Sequence, residues 1–146
     1  MSAHVQQRGP VASAGRRTPV AWGVLWGCLQ AASPLALWWL DDPTVYALGL
    51  TLIAPVYIGL AVADGRARVI AVETVVAAAF VLLAAAGVTG PAWLLVAGLA
   101  GHGLKDLWQH RTGFVANTRW WPPFCAAVDF VAAALIAVLI AADSFS

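Results

Sequence analysis

Apolar segments of membrane-spanning length follow one another along most of this 146-residue chain, and they constrain its fold more than any other feature. Apolar residues make up 62% of the sequence and charged residues 10%, whereas soluble domains average roughly 45 to 50% and about 25%. Because lipid cannot hydrogen-bond to the backbone, an apolar run of about 20 residues crosses a bilayer as a helix. We therefore predict an all-α membrane protein.

Short connections rich in Asp, Gly and Pro divide the apolar part of the chain into five segments. They predict a bundle of five transmembrane helices in one domain, residues 20–143. The predicted spans are Val20–Leu40, Thr44–Ala63, Val69–Gly87, Pro91–His110 and Phe124–Ala142. Pro34 and Pro55 fall inside the first two spans and are expected to kink them. Residues 1–19 are polar and carry three arginines, so we predict a disordered cytoplasmic tail there.

The distribution of charge predicts how the bundle is oriented. If all five segments cross, every Lys and Arg falls on one side, and Asp41, Asp42 and Asp143 fall on the other. By the positive-inside rule this places the amino terminus in the cytoplasm and the carboxyl terminus outside. We expect a multi-pass protein of the bacterial cytoplasmic membrane whose main partner is the lipid bilayer. The dispersed basic residues form no patch for nucleic acid, which we exclude as a partner.

Ionisable residues inside the predicted spans are the candidate functional residues. His102, Asp106 and His110 recur at four-residue steps in the fourth span, so they share one face of a helix. Glu73 in the third span and Asp129 in the fifth lie at similar distances from the cytoplasmic ends of their helices. A charged side chain at a helix centre costs about 2.5 to 3.5 kcal/mol on insertion scales, so such residues need a compensating role. The five residues predict a polar pocket that faces the cytoplasm.

One interpretation of this pocket is a divalent metal site. Imidazole and carboxylate groups are ordinary ligands of zinc, iron and manganese, and we predict His102, Asp106, His110 and Asp129 as the ligands. Metal-bound water can be activated for hydrolysis, and in that case Glu73 is the predicted general base.

Two other interpretations use the same residues. Histidine titrates near neutrality, so a row of histidines and carboxylates can relay protons. Alternatively the cluster is structural, with Lys105 or Arg119 pairing with the buried acids.

Part of the chain resembles a known set of sequences. The segment His102-Gly-x-x-Asp106, the run Trp121-Pro-Pro-Phe-Cys125 and the intramembrane Asp129 resemble small uncharacterised bacterial integral membrane proteins, grouped only as a domain of unknown function. The resemblance covers about 45 residues at the carboxyl-terminal end. It implies that His102, Asp106 and Asp129 act as a unit, and it implies no activity.

Three functions therefore follow from the sequence as expectations. The first is a small membrane protein whose pocket binds a metal, a lipid head group or a partner subunit, which is another membrane protein or a second copy. The alternatives are a metal-dependent membrane hydrolase and a proton-coupled transporter or accessory subunit. Transport requires a polar path to the outer face, and the outer halves of the spans offer only Ser33, Thr51 and Tyr46.

Overall fold

A computed structural model describes residues 14–116 and 119–144, with side chains from Thr18 onward in the first range. These residues form α-helices, one 3₁₀ turn and no strand, which confirms the all-α prediction. The elements in chain order are α1 (Ala14–Ala31), the 3₁₀ turn (Ser33–Leu35), α2 (Asp42–Ile53), α3 (Val56–Asp64), α4 (Ala67–Thr89), α5 (Trp93–Thr112) and α6 (Trp121–Ala141).

Within the described residues, three helical segments are long and apolar enough to cross a membrane: Asp42–Asp64, which comprises α2 and α3, Ala67–Thr89 and Trp121–Ala141. Five spans were predicted, and three of them meet this measure of length and composition. The helix α1 falls short because it stops early and begins with polar residues, and α5 falls short because its second half is rich in charge.

The first predicted span differs from the helix at both ends. Helix α1 ends at Ala31 instead of Leu40, because Pro34 occupies the first turn of the 3₁₀ helix and cannot continue the α-helical hydrogen bonds. At its other end the helix begins at Ala14, six residues before the predicted start of the span at Val20, and residues 1–13 of the predicted tail lie outside the described residues.

The second predicted span is broken where a kink was expected. Pro55 lies between α2 and α3, and the two short helices continue as one segment. Asp41 caps the start of α2, where its carboxylate accepts hydrogen bonds of 2.9 Å from both the backbone nitrogen and the hydroxyl of Thr44. These hydrogen bonds lower the pKa of Asp41.

Helix α1 packs against α6 through a stripe of small buried residues. Gly23 lies against the carbonyl of Phe124, and a Cβ atom built on Gly27 would lie 2.7 Å from the carbonyl oxygen of Val128. Because both contacts advance in the same direction, the two helices run parallel. Glycines four residues apart allow this close approach, which drives helix association where lipid surrounds the bundle.

Helix α5 lies between α4 and α6 and runs antiparallel to both, as the contacts of Gly87 with Leu95 and of Gly103 with Asp129 require. The α3–α4 and α5–α6 connections meet at one end of the bundle. There Arg66 pairs with Asp64 and donates to the carbonyl of Phe114 over 2.7 Å. The hydrogen bond that Arg66 donates to the Asp64 carboxylate holds the pKa of Arg66 above its ordinary value. We call this the basic end, since Arg66 and Arg119 lie in its connections and Arg68 and Arg111 lie in the adjoining ends of α4 and α5.

The interior contains two apolar clusters and the exterior is also apolar. One cluster, around Leu50 and Leu99, fills the half of the bundle away from the basic end. The other, around Tyr57 and Val69, lies at the basic end. On the outside, Leu82 on α4 is 71% exposed, as is typical of a surface that faces lipid. The buried polar residues lie in the layer between the two clusters.

The packing of α1 on α6 predicts a specific loss of stability. The substitution Gly27→Ala should lower the unfolding free energy by about 1 to 3 kcal/mol, because the new methyl group overpacks the interface against Val128 and Val131. Thermal unfolding in detergent measures the effect. Gly59→Ala is the matched control, since a Cβ there meets no atom within 4 Å; equal unfolding temperatures for the two variants would contradict this account of the interface.

Candidate metal centre

His102 on α5 and Asp129 on α6 form the centre of the buried polar layer. Their side chains are each 1% exposed, and His102 Nδ1 lies 2.8 Å from Asp129 Oδ2. Gly103 makes this pairing possible, because a Cβ atom there would approach Asp129 Cβ to 3.2 Å and the ring of Phe130 to 3.1 Å. A side chain at position 103 would therefore hold the two helices farther apart.

Asp106 joins the pair from one helical turn farther along α5. Its carboxylate is fully buried, and its Oδ2 lies 3.5 Å from His102 Nδ1. One ligand atom from each of His102, Asp106 and Asp129 lies within 4.8 Å of the other two. The structure thus brings together three of the four residues predicted as metal ligands, and we call these three residues the His/Asp cluster.

Most polar atoms of the His/Asp cluster have no hydrogen-bond partner within the described residues. These atoms are His102 Nε2, both oxygens of Asp106 and Asp129 Oδ1. Leaving a buried donor or acceptor unpaired costs about 1 to 3 kcal/mol, and more for a charged group. Unpaired buried polar atoms gathered in one place are typical of a site that holds water or an ion.

His110 lies outside the cluster, on the exposed surface of α5. Eight residues separate it from His102, and at about 100° per residue its side chain has turned roughly 80° away from that face. The sequence pattern treated two four-residue steps as one straight stripe. A real α-helix drifts, so only the first step, from His102 to Asp106, stays on the buried face.

Glu73 on α4 belongs to a separate set of contacts. Its Oε2 lies 2.6 Å from Lys105 Nζ, and its Oε1 accepts a hydrogen bond from Gln109 Nε2. Gln109 in turn accepts from the backbone nitrogen of Val115 through its Oε1, over 3.3 Å. The contact between Lys105 and Glu73 is one of the pairings that the structural interpretation of the cluster predicted. Both Glu73 oxygens are engaged, which does not favour the general-base role predicted for this residue.

Aromatic side chains enclose the polar layer. The ring of Phe80 meets the imidazole of His102 edge-on at 5.0 Å between centroids. Lys105 Nζ lies 3.5 Å from the centroid of Tyr57, a cation–π contact that adds to its pairing with Glu73. These walls keep the surroundings of the His/Asp cluster apolar, so electrostatic interactions within it are strong.

Two buried residues were missed from the sequence: Gln109 in the polar layer, and Tyr57 in the apolar cluster beside it. Neither an amide nor a phenol stands out among ionisable groups at four-residue spacing. Gln109 could have been found from its spacing, because it follows His102 by seven residues and Asp106 by three, which places all three on one helical face.

The donor set of the cluster suits a divalent transition metal. Zinc binds imidazole nitrogen at about 2.0 to 2.1 Å and carboxylate oxygen at about 2.0 to 2.2 Å, so ligand atoms around it lie roughly 3.3 to 3.6 Å apart. The 3.5 Å between His102 Nδ1 and Asp106 Oδ2 matches this spacing. The 2.8 Å between His102 Nδ1 and Asp129 Oδ2 is a hydrogen-bond distance, which a metal on Nδ1 would have to replace.

No protein-family model, curated protein or solved structure matches this chain. The resemblance of its carboxyl-terminal part to a domain of unknown function therefore stays a prediction.

The Lys105–Glu73 pair predicts a strong coupling in stability. Lys105→Met alone should cost about 3 to 5 kcal/mol, because it leaves the carboxylate of Glu73 buried without its positive partner. The double variant Lys105→Met, Glu73→Gln should recover most of this loss. The unfolding free energies of the wild type, both single variants and the double variant, measured in detergent, form a double-mutant cycle. Additive losses would show that the two side chains do not interact.

Proposed function

We propose that this chain is a small helical membrane protein that binds one divalent metal ion through His102, Asp106 and Asp129. The observation that carries the proposal is the convergence of three buried ligand atoms within 4.8 Å of one another. One imidazole with two carboxylates favours manganese, iron or zinc, because purely oxygen sites suit magnesium and calcium better.

The charges around the cluster support this proposal. Burying an unpaired ion costs several kcal/mol, and two carboxylates lie side by side in the cluster. Lys105 is already paired with Glu73, so it does not balance them. His102 can contribute at most one positive charge, whereas a divalent ion balances both carboxylates at once.

Metal titration of the purified protein in detergent tests the proposal. After treatment with a chelator, the wild type should bind one Zn²⁺ or Mn²⁺ per chain by calorimetry and by elemental analysis. His102→Ala and Asp129→Asn each remove a ligand and should weaken binding by at least about tenfold to hundredfold. Bound metal should raise the unfolding temperature of the wild type, by an amount equivalent to about 2.7 kcal/mol at a hundredfold excess over Kd.

His110→Ala provides the matched control, because it removes the exposed histidine of the same helix. It should bind metal like the wild type. A protein that binds no metal, or a His102→Ala variant that binds it unchanged, would contradict the proposal.

A proton-relay role is the second candidate, and the direct hydrogen bond between His102 and Asp129 favours it. A relay also needs proton-exchanging groups between the His/Asp cluster and the end of the bundle away from the basic end. The hydroxyl of Ser33 donates to the carbonyl of Gln30 over 2.6 Å, and that of Tyr46 donates to the carbonyl of Ala31 over 2.8 Å. Because these hydroxyls are held by the backbone of α1, they support a relay poorly, and we prefer metal binding.

The hydrolase alternative needs a base beside the metal, and the engaged oxygens of Glu73 do not supply one. We therefore propose binding and assign no reaction. The apolar exterior fits a protein whose surroundings are lipid or a second membrane protein.

We also propose that the basic end faces the cytoplasm of a bacterium and that α1 and α5 cross the bilayer beside the three apolar segments. Supporting this, α1 runs parallel to α6, and the polar side of α5 lies inside the bundle.

Reporter fusions after Ser146 test this orientation. The helix α6 leads away from the basic end, so a periplasmic alkaline phosphatase fused there should be active and a green fluorescent protein should be dark. The opposite pair of signals would place the basic end outside and overturn the orientation.

A further inference from the structure

A second candidate binding site lies between α1, α2 and α6, on the side of Asp129 away from α5. It is a groove of about 600 Å³, within the usual range of about 300 to 1,000 Å³ for sites that bind small molecules. Its walls are almost wholly apolar and include Trp26, Leu48 and Leu52. Since Leu52 is 74% exposed and Trp26 is 53% exposed, the groove opens on the apolar surface of the bundle.

Two unpartnered polar atoms belong to residues that line this groove. The side-chain nitrogen of Gln30 is a donor without an acceptor, and Asp129 Oδ1 is an acceptor without a donor. Gly49 lets the Gln30 amide pack against α2, because a Cβ atom there would lie 2.5 Å from Gln30 Nε2. Both polar atoms are fully buried, so their side chains must shift before a polar group in the groove can reach them, which favours a small group over a bulky head group or a helix.

The depth of the groove restricts the charge of its occupant. Asp129 follows the first residue of α6 by eight positions, which is about 12 Å along a helix of about 31 Å. At such depth in a bilayer a charged head group is costly, whereas a hydroxyl group costs much less. A hydroxyl also both donates and accepts, which matches the two unpaired atoms.

We propose that this groove binds an uncharged lipophilic alcohol, of the long-chain or prenyl class, whose hydroxyl accepts from Gln30 and donates to Asp129. The hydrocarbon chain lies along the apolar wall formed by α1 and α2. This inference goes beyond metal binding and does not require it, although Asp129 is shared by the groove and the His/Asp cluster.

Competitive photolabelling in phosphatidylcholine nanodiscs tests the proposal. A dodecanol analogue with a diazirine on its chain should label peptides of α1, α2 and α6. Dodecanol should compete best, methyl dodecyl ether less well and dodecane least, because the ether only accepts a hydrogen bond and dodecane makes none. One net hydrogen bond corresponds to roughly three- to tenfold in affinity at each step. Equal competition by all three molecules would overturn the proposal.

Variants localise the effect to the groove. Thr51→Trp fills the groove and should abolish labelling, whereas Thr74→Trp, on the exposed face of α4 outside the groove, should leave it unchanged. Gln30→Leu should remove the advantage of the ether over dodecane. Unchanged labelling of Thr51→Trp, or a cross-link showing a second chain in the groove, would also overturn the proposal.

Metal content and unfolding temperature, measured on the same samples, separate this proposal from metal binding. A folded Thr51→Trp variant with normal metal and no labelling supports the groove. A wild type that binds metal and shows no hydroxyl preference refutes the groove alone, and a wild type with the preference but no metal refutes the metal site alone.

Discussion

Two carboxyl groups and an imidazole buried between two apolar clusters are the constraint on which the rest of this molecule depends. Their position follows from helix geometry, because the four-residue step from His102 to Asp106 keeps both on one face of α5. It follows equally from Gly103, which lets α6 bring Asp129 to within 2.8 Å of the imidazole. Burying these charged groups in apolar surroundings costs free energy, so a positive charge is needed to balance the two carboxylates.

Helix α6 contributes to both candidate binding sites, the His/Asp cluster and the groove. One side of it carries Asp129 into the His/Asp cluster, and another receives the glycines of α1 along Phe124 and Val128. The groove forms beside this second contact, and Asp129 lies in its wall. A change in how α1 packs on α6 therefore alters the groove directly. The same change affects the His/Asp cluster through the side chain of Asp129.

Apolar runs predicted the long helices well and the broken ones poorly. The predicted third span, Val69–Gly87, lies within α4 (Ala67–Thr89), because an uninterrupted apolar run leaves few alternatives. The first span was predicted too long, since hydropathy continues past Ala31 while Ser33 and Pro34 stop the helix. Within the site, the four-residue rule predicted His102, Asp106 and His110 on one face, and the structure buries the first two and exposes His110. The pairing of Glu73 with Lys105 instead of the cluster depends on side-chain packing, which spacing does not encode.

We propose that a metal ion at the His/Asp cluster compensates the buried carboxylates. X-ray absorption at the zinc edge, on protein titrated with one equivalent of Zn²⁺, tests it most directly. We expect a first shell of nitrogen and oxygen at about 2.0 to 2.2 Å, with the outer-shell scattering of one imidazole, and the loss of that imidazole signal in His102→Ala. A shell that contains sulfur, from Cys28 or Cys125, or one unchanged in His102→Ala, would contradict it.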